Sequence, residues 1–300
     1  MVCLITGAAG MMGSHLYETL VSNGHDVVPT YYEPTIDSRD KILEDLTVVL
    51  NVLDKENIRS VFEKYQPSVI YHLAAQSRPD ISFNKPIHTL LTNIIGTANL
   101  LDCCVEMGIK PLFINASSSA VYGDIDWSVP PDEGRYCNPL SPYGTSKLSQ
   151  EHIVRNYHNM YGINYVNVRI FNCTGPRKIN DFVSDVCRRV VNEEFPVRAG
   201  NLSGVRSLVD VRDLTRGLFL CKNIKNETIN LGSNVSLRIS DVFKKIVGDR
   251  DYCIDNSLLR PTDEPIIIGN IDKAQRLLHW NCEIDLNKTI IDTLNYWRTI

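Results

Sequence analysis

Val2-Cys3-Leu4-Ile5-Thr6-Gly7-Ala8-Ala9-Gly10-Met11-Met12-Gly13 stands at the start of the chain, and its reading decides the fold. A short apolar run stops at a G-x-x-G-x-x-G triplet, and residues 12–21 then carry Leu16, Leu20 and Val21 at helical spacing. Glycine is needed where the backbone turns sharply and approaches a pyrophosphate whose charge meets a helix N-terminus. A strand before the triplet and a helix after it are the context that separates this pattern from coincidence. The segment predicts a dinucleotide-binding turn, with Gly7, Gly10, Met11, Met12 and Gly13 against the cofactor.

Outward from that turn, β-type runs at 26–30, 69–72, 112–116 and 165–171 alternate with helical stretches at 57–65, 89–107 and 143–161. The strands are apolar rather than half-polar, which predicts a parallel sheet covered by helices on both faces. The fold class expected is α/β, a doubly wound parallel sheet of the Rossmann type, with a smaller C-terminal α/β substrate lobe. After about residue 173 Pro, Gly and Asn become frequent and elements shorten. Helices are expected at 182–191 and 239–247, short strands at 197–198 and 266–269, and further sheet elements near 207–220 and 228–231. The expected division is an NAD(P)-binding Rossmann domain over 1–172, with later sheet elements near 205–232, and an interleaved substrate lobe over 173–300.

The chain has 300 residues, 43% hydrophobic and 22% charged, with a formal net charge of −4. That is the composition of a globular protein, and it excludes disordered, fibrous and coiled-coil classes. The acidic balance gives no nucleic-acid groove, and no apolar run is long enough to span a bilayer. No basic segment precedes the first apolar run, so a cytoplasmic location is expected. The nine cysteines are odd in number, irregularly spaced and form no C-x-x-C pair, which predicts reduced thiols and no metal site. An acidic, Pro-rich stretch with Asp124, Asp126, Asp132 and Glu133 reads as a solvated loop.

Ligands of such sheets bind at the carboxyl ends of the strands. The second strand ends in Thr30-Tyr31-Tyr32-Glu33, where an acid ordinarily meets the adenosine ribose. Tyr31 takes that position, Glu33 follows it, and the nearest cation for a 2′-phosphate is Arg39, so NAD(H) is favoured over NADP(H). Asn51, after a β-type run at 47–50, is placed to accept from the adenine amine. Ser117-Ser118-Ser119 follows another strand, and Tyr143-Gly144-Thr145-Ser146-Lys147 opens a helix with Tyr and Lys on one face. A nearby ammonium lowers a phenol's pKa, and a serine hydroxyl can bond the reacting oxygen. Ser118, Tyr143 and Lys147 therefore suit proton transfer coupled to hydride transfer at a carbinol or carbonyl.

At this point the chain resembles the extended short-chain dehydrogenase/reductases of the nucleotide-sugar branch. The resemblance rests on the glycine triplet, His72-Leu73-Ala74-Ala75, Asn93-x-x-Gly96-Thr97, Ser118, Tyr143-x-x-x-Lys147, Arg169-Ile170-Phe171-Asn172 and Val209-Asp210-Val211-Arg212-Asp213. It implies a cofactor site lined by Leu73, Ala74, Ala75, Val52 and Asn93, with Lys147 also on the nicotinamide ribose. Ala74-Ala75-Gln76-Ser77, Gly175-Pro176-Arg177, Asp181-Phe182-Val183 and Leu259-Arg260-Pro261-Thr262-Asp263 are similar to GDP-mannose 4,6-dehydratases and GDP-6-deoxy-4-keto-mannose reductases. By that resemblance Ser77, Ser118, Ser119, Asn172, Val183, Arg206 and Arg260 bind a nucleotide-diphosphate sugar, GDP-linked. It also implies a homodimer formed through the helices at 89–107 and 143–161.

One departure narrows the chemistry. Related dehydratases carry one or two carboxylates just after the catalytic Ser or Thr, because eliminating water across C5–C6 needs a base and an acid. Here those places are Ser119 and Ala120. Dehydration is disfavoured, which leaves oxidation or reduction at C4, or epimerisation through a transient 4-ketone. The leading expectation is a GDP-4-keto-sugar reductase, or the reverse C4 dehydrogenase. The Ser-Ser-Ser-Ala-Val-Tyr-Gly run also resembles UDP-sugar 4-epimerases, whereas many reductases have an acid near position 120. The alternatives are thus a nucleotide-sugar 4-epimerase holding NAD tightly and, in another class, a non-catalytic dinucleotide-sensing regulator.

Overall fold

The computed structural model describes residues 1–259 and 265–300. Its strands are β1 Val2–Thr6, β2 Asp26–Tyr31, β3 Val48–Val49, β4 Val69–His72, β5 Leu112–Ser118, β6 Tyr165–Ile170, β7 Cys173–Thr174, β8 Val197–Ala199, β9 Val205–Arg206, β10 Val209–Asp210, β11 Glu227–Leu231, β12 Leu237–Arg238, β13 Tyr252–Ile254 and β14 Ile266–Ile267. Its helices are α1 Met11–Ser22, α2 Lys55–Tyr65, α3 Pro79–Asn84, α4 Pro86–Leu90, α5 Gly96–Glu106, α6 Pro142–Tyr161, α7 Phe182–Val191, α8 Val211–Leu220, α9 Ile239–Val247, α10 Asp272–Leu278 and α11 Leu286–Thr299.

Seven strands form one sheet in the order β11-β6-β5-β4-β1-β2-β3, and every pair in it is parallel. Alternate residues of each strand feed opposite faces. Cys3, Ile5, Tyr71 and Ile114 bury with α1, α8 and α10 on one side, and Leu4, Ile70 and Phe113 bury with α2, α5 and α6 on the other. This is the doubly wound Rossmann-type sheet expected. The strand order reverses between β1 and β4, so the loops leaving those strands part and open a crevice, the usual ligand position in such folds. A third apolar cluster, with Val183, Val186, Cys187, Phe243, Ile246 and Trp297, joins α7, α9 and α11.

Two segments differ from expectation. Residues 207–220 were expected to supply sheet, but only β10 does so, and it pairs with β7 outside the main sheet. The rest is α8, capped by the Asp210 carboxylate on Arg212 N–H, with Val211, Leu214, Thr215 and Leu218 buried at three- and four-residue spacing. The cap and that period outweigh the β-branched run at its start. The helix expected over 89–107 begins earlier, at Pro86, a residue suited to a first helical position. It also contains a π-helical turn over Leu91–Ile95 before α5, and this turn holds the buried Asn93. Such turns interrupt helices mostly where a side chain has a site to serve.

No helix among the described residues is long and apolar enough to cross a membrane. No group of metal-ligating side chains occurs among them either. All nine cysteines are free thiols.

Candidate active site

The glycine turn is shaped by atoms that are missing. Gly7 has φ +74°, and a Cβ there would lie 2.9 Å from Ala74 N, so β1 and the loop after β4 approach backbone to backbone. A Cβ on Gly13 would lie 2.2 Å from Gly7 O and 2.7 Å from Ala8 Cα, which is how α1 comes to lie directly on the turn. The Thr6 hydroxyl accepts from Leu73 N–H and Ala74 N–H, both at 3.1 Å, fixing the facing loop. The first-turn amides of α1 have no side-chain cap, and no acidic residue lies in that turn. Uncapped amides at the positive end of a helix beside glycines without side chains fit a dinucleotide's pyrophosphate.

Gly7, Gly10, Met11, Met12, Gly13, Leu73, Ala74 and Ala75 therefore come together as expected from the turn. Tyr31 ends β2, half-buried, and Glu33 is exposed beyond it. Asn51 is half-buried after β3, and its amide oxygen accepts from Leu53 N–H at 3.0 Å in a local turn, using one of its two lone pairs. An Asn side chain in a loop often satisfies nearby backbone in this way. Val52 is buried against Gly96, where an added Cβ would meet its Cγ2 at 2.6 Å. Arg39 bonds Asp37 through two nitrogens at 2.8 Å and also reaches the Ile300 carbonyl.

The opposite wall is made of buried polar side chains. Ser118 ends β5, and its Oγ accepts from Ala120 N–H at 3.2 Å. Ser141 caps α6 on Gly144 N–H at 3.0 Å, and Pro142 fills the first turn. A Cβ on Gly144 would lie 2.5 Å from Ala120 O, so glycine lets α6 sit against the end of β5. Tyr143 is thereby buried beside Ser118, whose hydroxyl is close enough to act on its phenol. Lys147, one turn on, donates to Ala116 O at 2.8 Å and lies 5.9 Å from the Tyr143 ring centroid.

The electrostatics differ from the expectation that Lys147 lowers the Tyr143 pKa. Burial raises the Tyr143 pKa, and the neighbouring Ser118 hydroxyl opposes that rise. Burial also pushes Lys147 down to about 7, against the pull of the Glu151 carboxylate. The dry site disfavours the ammonium charge itself, so Lys147 is left poised near neutrality.

Sequence reasoning missed the layer beneath these three residues. Glu151 holds Arg169 through both oxygens, at 2.9 and 2.8 Å, and accepts from the Ser117 hydroxyl. Gln150 bonds Thr97, which also bonds His72 Nε2 at 2.9 Å, while Thr6 bonds His72 Nδ1 at 2.9 Å. Asn93 accepts from Gln76 N–H at 2.8 Å and donates to Gln76 O and the Ser146 hydroxyl, tying the loop after β4 to α6. One signal was present: Gln150 and Glu151 lie three and four residues after Lys147, polar on a helix face that packs on a sheet.

The substrate candidates divide. Ser119 is half-buried in a 3₁₀ turn over Ser119–Val121 that holds no carboxylate, and Ser77 is exposed after β4. Asn172 donates to Ile267 O at 3.3 Å, and Arg206 pairs across from Ile267 in the register of β9 and β14. Arg206 is nine-tenths buried and donates to Val205 O at 3.0 Å and Pro265 O at 3.3 Å. Val183 is a correction: its side chain is sealed in the third apolar cluster, leaving only its backbone for a ligand. Arg260 lies outside the described residues.

Comparison with known proteins places the whole chain. The family described as GDP-mannose 4,6 dehydratase matches residues 4–293. A UDP-glucuronate 4-epimerase of Thermodesulfobacterium geofontis is 27% identical over 98% of this chain and 95% of its own. The solved UDP-glucose 4-epimerase of Thermotoga maritima, with UDP-glucose, superposes with a TM-score of 0.91 at 28% identity, covering 100% of this chain and 99% of the other. The Thermus thermophilus UDP-glucose 4-epimerase, in complex with NAD, gives 0.90 at 25% identity and covers 99% of each chain.

Proposed function

Because this chain belongs to the GDP-mannose 4,6-dehydratase family of extended short-chain dehydrogenase/reductases, we propose that it is a nucleotide-sugar 4-epimerase working through a transient 4-ketone. It is an enzyme of nucleotide-sugar modification that uses a nicotinamide dinucleotide. The observation that carries the finer reading is the uncharged turn Ser119–Val121 directly after Ser118, beside the buried Tyr143 and Lys147. A 4,6-elimination needs a proton donor and acceptor at C5 and C6, and no carboxylate stands in that turn to serve. Epimerisation at C4 needs none beyond the trio. The relatives named 4-epimerases support this choice over the C4 reductase, which is the second reading.

A bound nicotinamide dinucleotide would supply reversible hydride transfer at the carbinol carbon. Tyr143 takes the proton of the C4 hydroxyl and gives it back to the oxygen of the ketone. Ser118 holds that oxygen while the charge on it changes. Lys147 donates to Ala116 O, and its remaining N–H donors would hold the ribose of a bound dinucleotide. Asn172 and Arg206 hold the nucleotide diphosphate, Arg206 as a charge-assisted donor. NAD is the dinucleotide favoured, since Arg39 is already engaged by Asp37. The chain is proposed to form a homodimer through Ile87, Leu91 and Ile95, which are exposed at four-residue spacing on one helix face.

The test is a set of UDP- and GDP-linked hexoses incubated with the protein and NAD, with products read by NMR. Pairs of C4 epimers are expected, and Tyr143→Phe abolishes them. A 6-deoxy-4-keto product would overturn the reading of Ser119 and Ala120. Consumption of a 4-keto sugar with stoichiometric loss of NADH or NADPH would establish the second reading.

A further inference from the structure

Residues 33–45 leave β2 and fold back over the glycine turn. Thr35 N–H donates to Ala9 O at 2.9 Å, and the Thr35 hydroxyl lies 3.3 Å from where a Cβ on Gly10 would be. Ile36 and Ile42 bury with Met11, the first residue of α1, and with Val211. This segment therefore touches two of the residues against which a dinucleotide is expected, Gly10 and Met11, and Ala9 just before them. A ligand on the α1 amides is flanked by it.

What holds the segment down comes from the other side of the site. Arg177, in the turn after β7, reaches both Glu18 oxygens on α1 at 2.8 and 2.7 Å and Asp40 at 3.1 Å through Nε. Asp40 also caps the turn at Lys41–Asp45 through Ile42 N–H. Pro176 O bonds His15 Nε2 at 3.2 Å, a second attachment of the same turn to α1. The Arg177 side chain is 15% exposed and that of Asp40 8%, so their pair is shielded from solvent, whereas Glu18 is 45% exposed. The planar fork uses three nitrogens on two carboxylates, a geometry lysine cannot copy. Arg177 does this from φ +65°, a left-handed conformation that a non-glycine residue adopts only when its surroundings impose it.

We propose that Arg177 is a positioning residue that pins residues 33–45 over the glycine turn and so retains the dinucleotide between turnovers. The proposal rests on the reading of that turn as the dinucleotide site. It also gives a 4-epimerase what it requires, because the hydride removed from C4 must return to the same sugar before the cofactor leaves.

The experiment measures release of bound NADH by fluorescence after a chase with excess NAD, for the full-length protein. Arg177→Met and Asp40→Asn are each expected to speed release at least ten-fold and to raise the apparent KM for NAD far more than they lower kcat. Arg177→Lys should fall between these variants and the wild type. Arg59→Met, which removes a surface pair with Glu56 and Glu106 on the far side of α2, should leave release unchanged. Release within two-fold of wild type in both Arg177→Met and Asp40→Asn overturns the proposal. So does a loss of kcat and melting temperature without faster release. If Arg177→Met does not fold, Asp40→Asn decides. Absence of any dinucleotide binding by the wild type would overturn the proposed function and this proposal together. Tight binding with unaltered release would overturn this proposal alone.

Discussion

The glycine turn and the catalytic wall face each other across the crevice, and they are built by opposite means. At Gly7 and Gly13 the shape depends on absent side chains, and main-chain atoms approach to distances that a Cβ would violate, while Gly10 is tight but not closed to one. At Ser118, Tyr143 and Lys147 it depends on side chains that are present, the last two buried and Ser118 half-buried, with Glu151, Arg169 and Gln150 completing the hydrogen bonds beneath. The first surface is steric, so it should fail when atoms are added. The second is electrostatic, so it should fail when atoms are removed.

Removing one oxygen from the catalytic wall tests this most severely. Tyr143→Phe keeps the ring and the fold but loses the proton carrier, and kcat should fall by about 10²–10⁴-fold. Melting temperature and NAD affinity should stay close to wild type; a parallel loss of NAD binding would mean the wall is structural. One layer down, Glu151→Gln leaves the buried Arg169 guanidinium without a charged partner. Breaking such a pair costs about 3–5 kcal/mol, readable as a lower urea midpoint. The same change removes the carboxylate that raises Lys147, so the Lys147 pKa should drop further below about 7. An unchanged pH profile in that variant would separate Glu151 from the chemistry.

On the other wall the informative change is an addition. Gly13→Ala drives a Cβ into Gly7 O and Ala8 Cα. Overpacking of this kind costs about 1–3 kcal/mol, and the distortion falls on the amides expected to meet the pyrophosphate. NAD affinity should fall at least ten-fold while Tyr143 and Ser118 are untouched. Full affinity in this variant would break the steric account. The wall's charge can also be read by a pH ramp in the ligand-free protein. Between about 7 and the ordinary lysine value of 10.5, the unfolded chain carries a proton at position 147 that the folded chain lacks. Stability should therefore rise with pH through that window. The slope should flatten in Lys147→Met, as measured by urea midpoints at the two ends.

The steric wall was the more legible in sequence. A glycine has few reasons to stand at a fixed spacing between an apolar strand and an amphipathic helix, so Gly7, Gly10 and Gly13 could be placed from local pattern alone. The strands β1 to β6 were readable for the same reason, since each is a short apolar run bounded by turn residues. The electrostatic wall was legible only at its surface. Tyr143 and Lys147 share a helical spacing and Ser118 ends a readable strand, but Glu151 with Arg169, or Asn93 with Gln76 and Ser146, meet only through tertiary packing. Residues 207–220 were expected to carry sheet elements, whereas the Asp210 cap and the buried helical period make most of them α8. Val183 was assigned to the substrate through a family pattern, and the fold buries its side chain instead. Arg177 was quoted only as part of a motif, since nothing local reveals that Glu18 and Asp40 converge on it.

The most direct test of the account follows the hydrogen on C4. Nucleotide sugars deuterated at C4, UDP- and GDP-linked, would be incubated with catalytic amounts of protein and NAD in ordinary water and read by NMR. The account predicts the C4 epimer with the deuterium still on C4 and no net change in the dinucleotide. Deuterium lost from C4, a 6-deoxy-4-keto sugar, or stoichiometric reduction of NAD would contradict it.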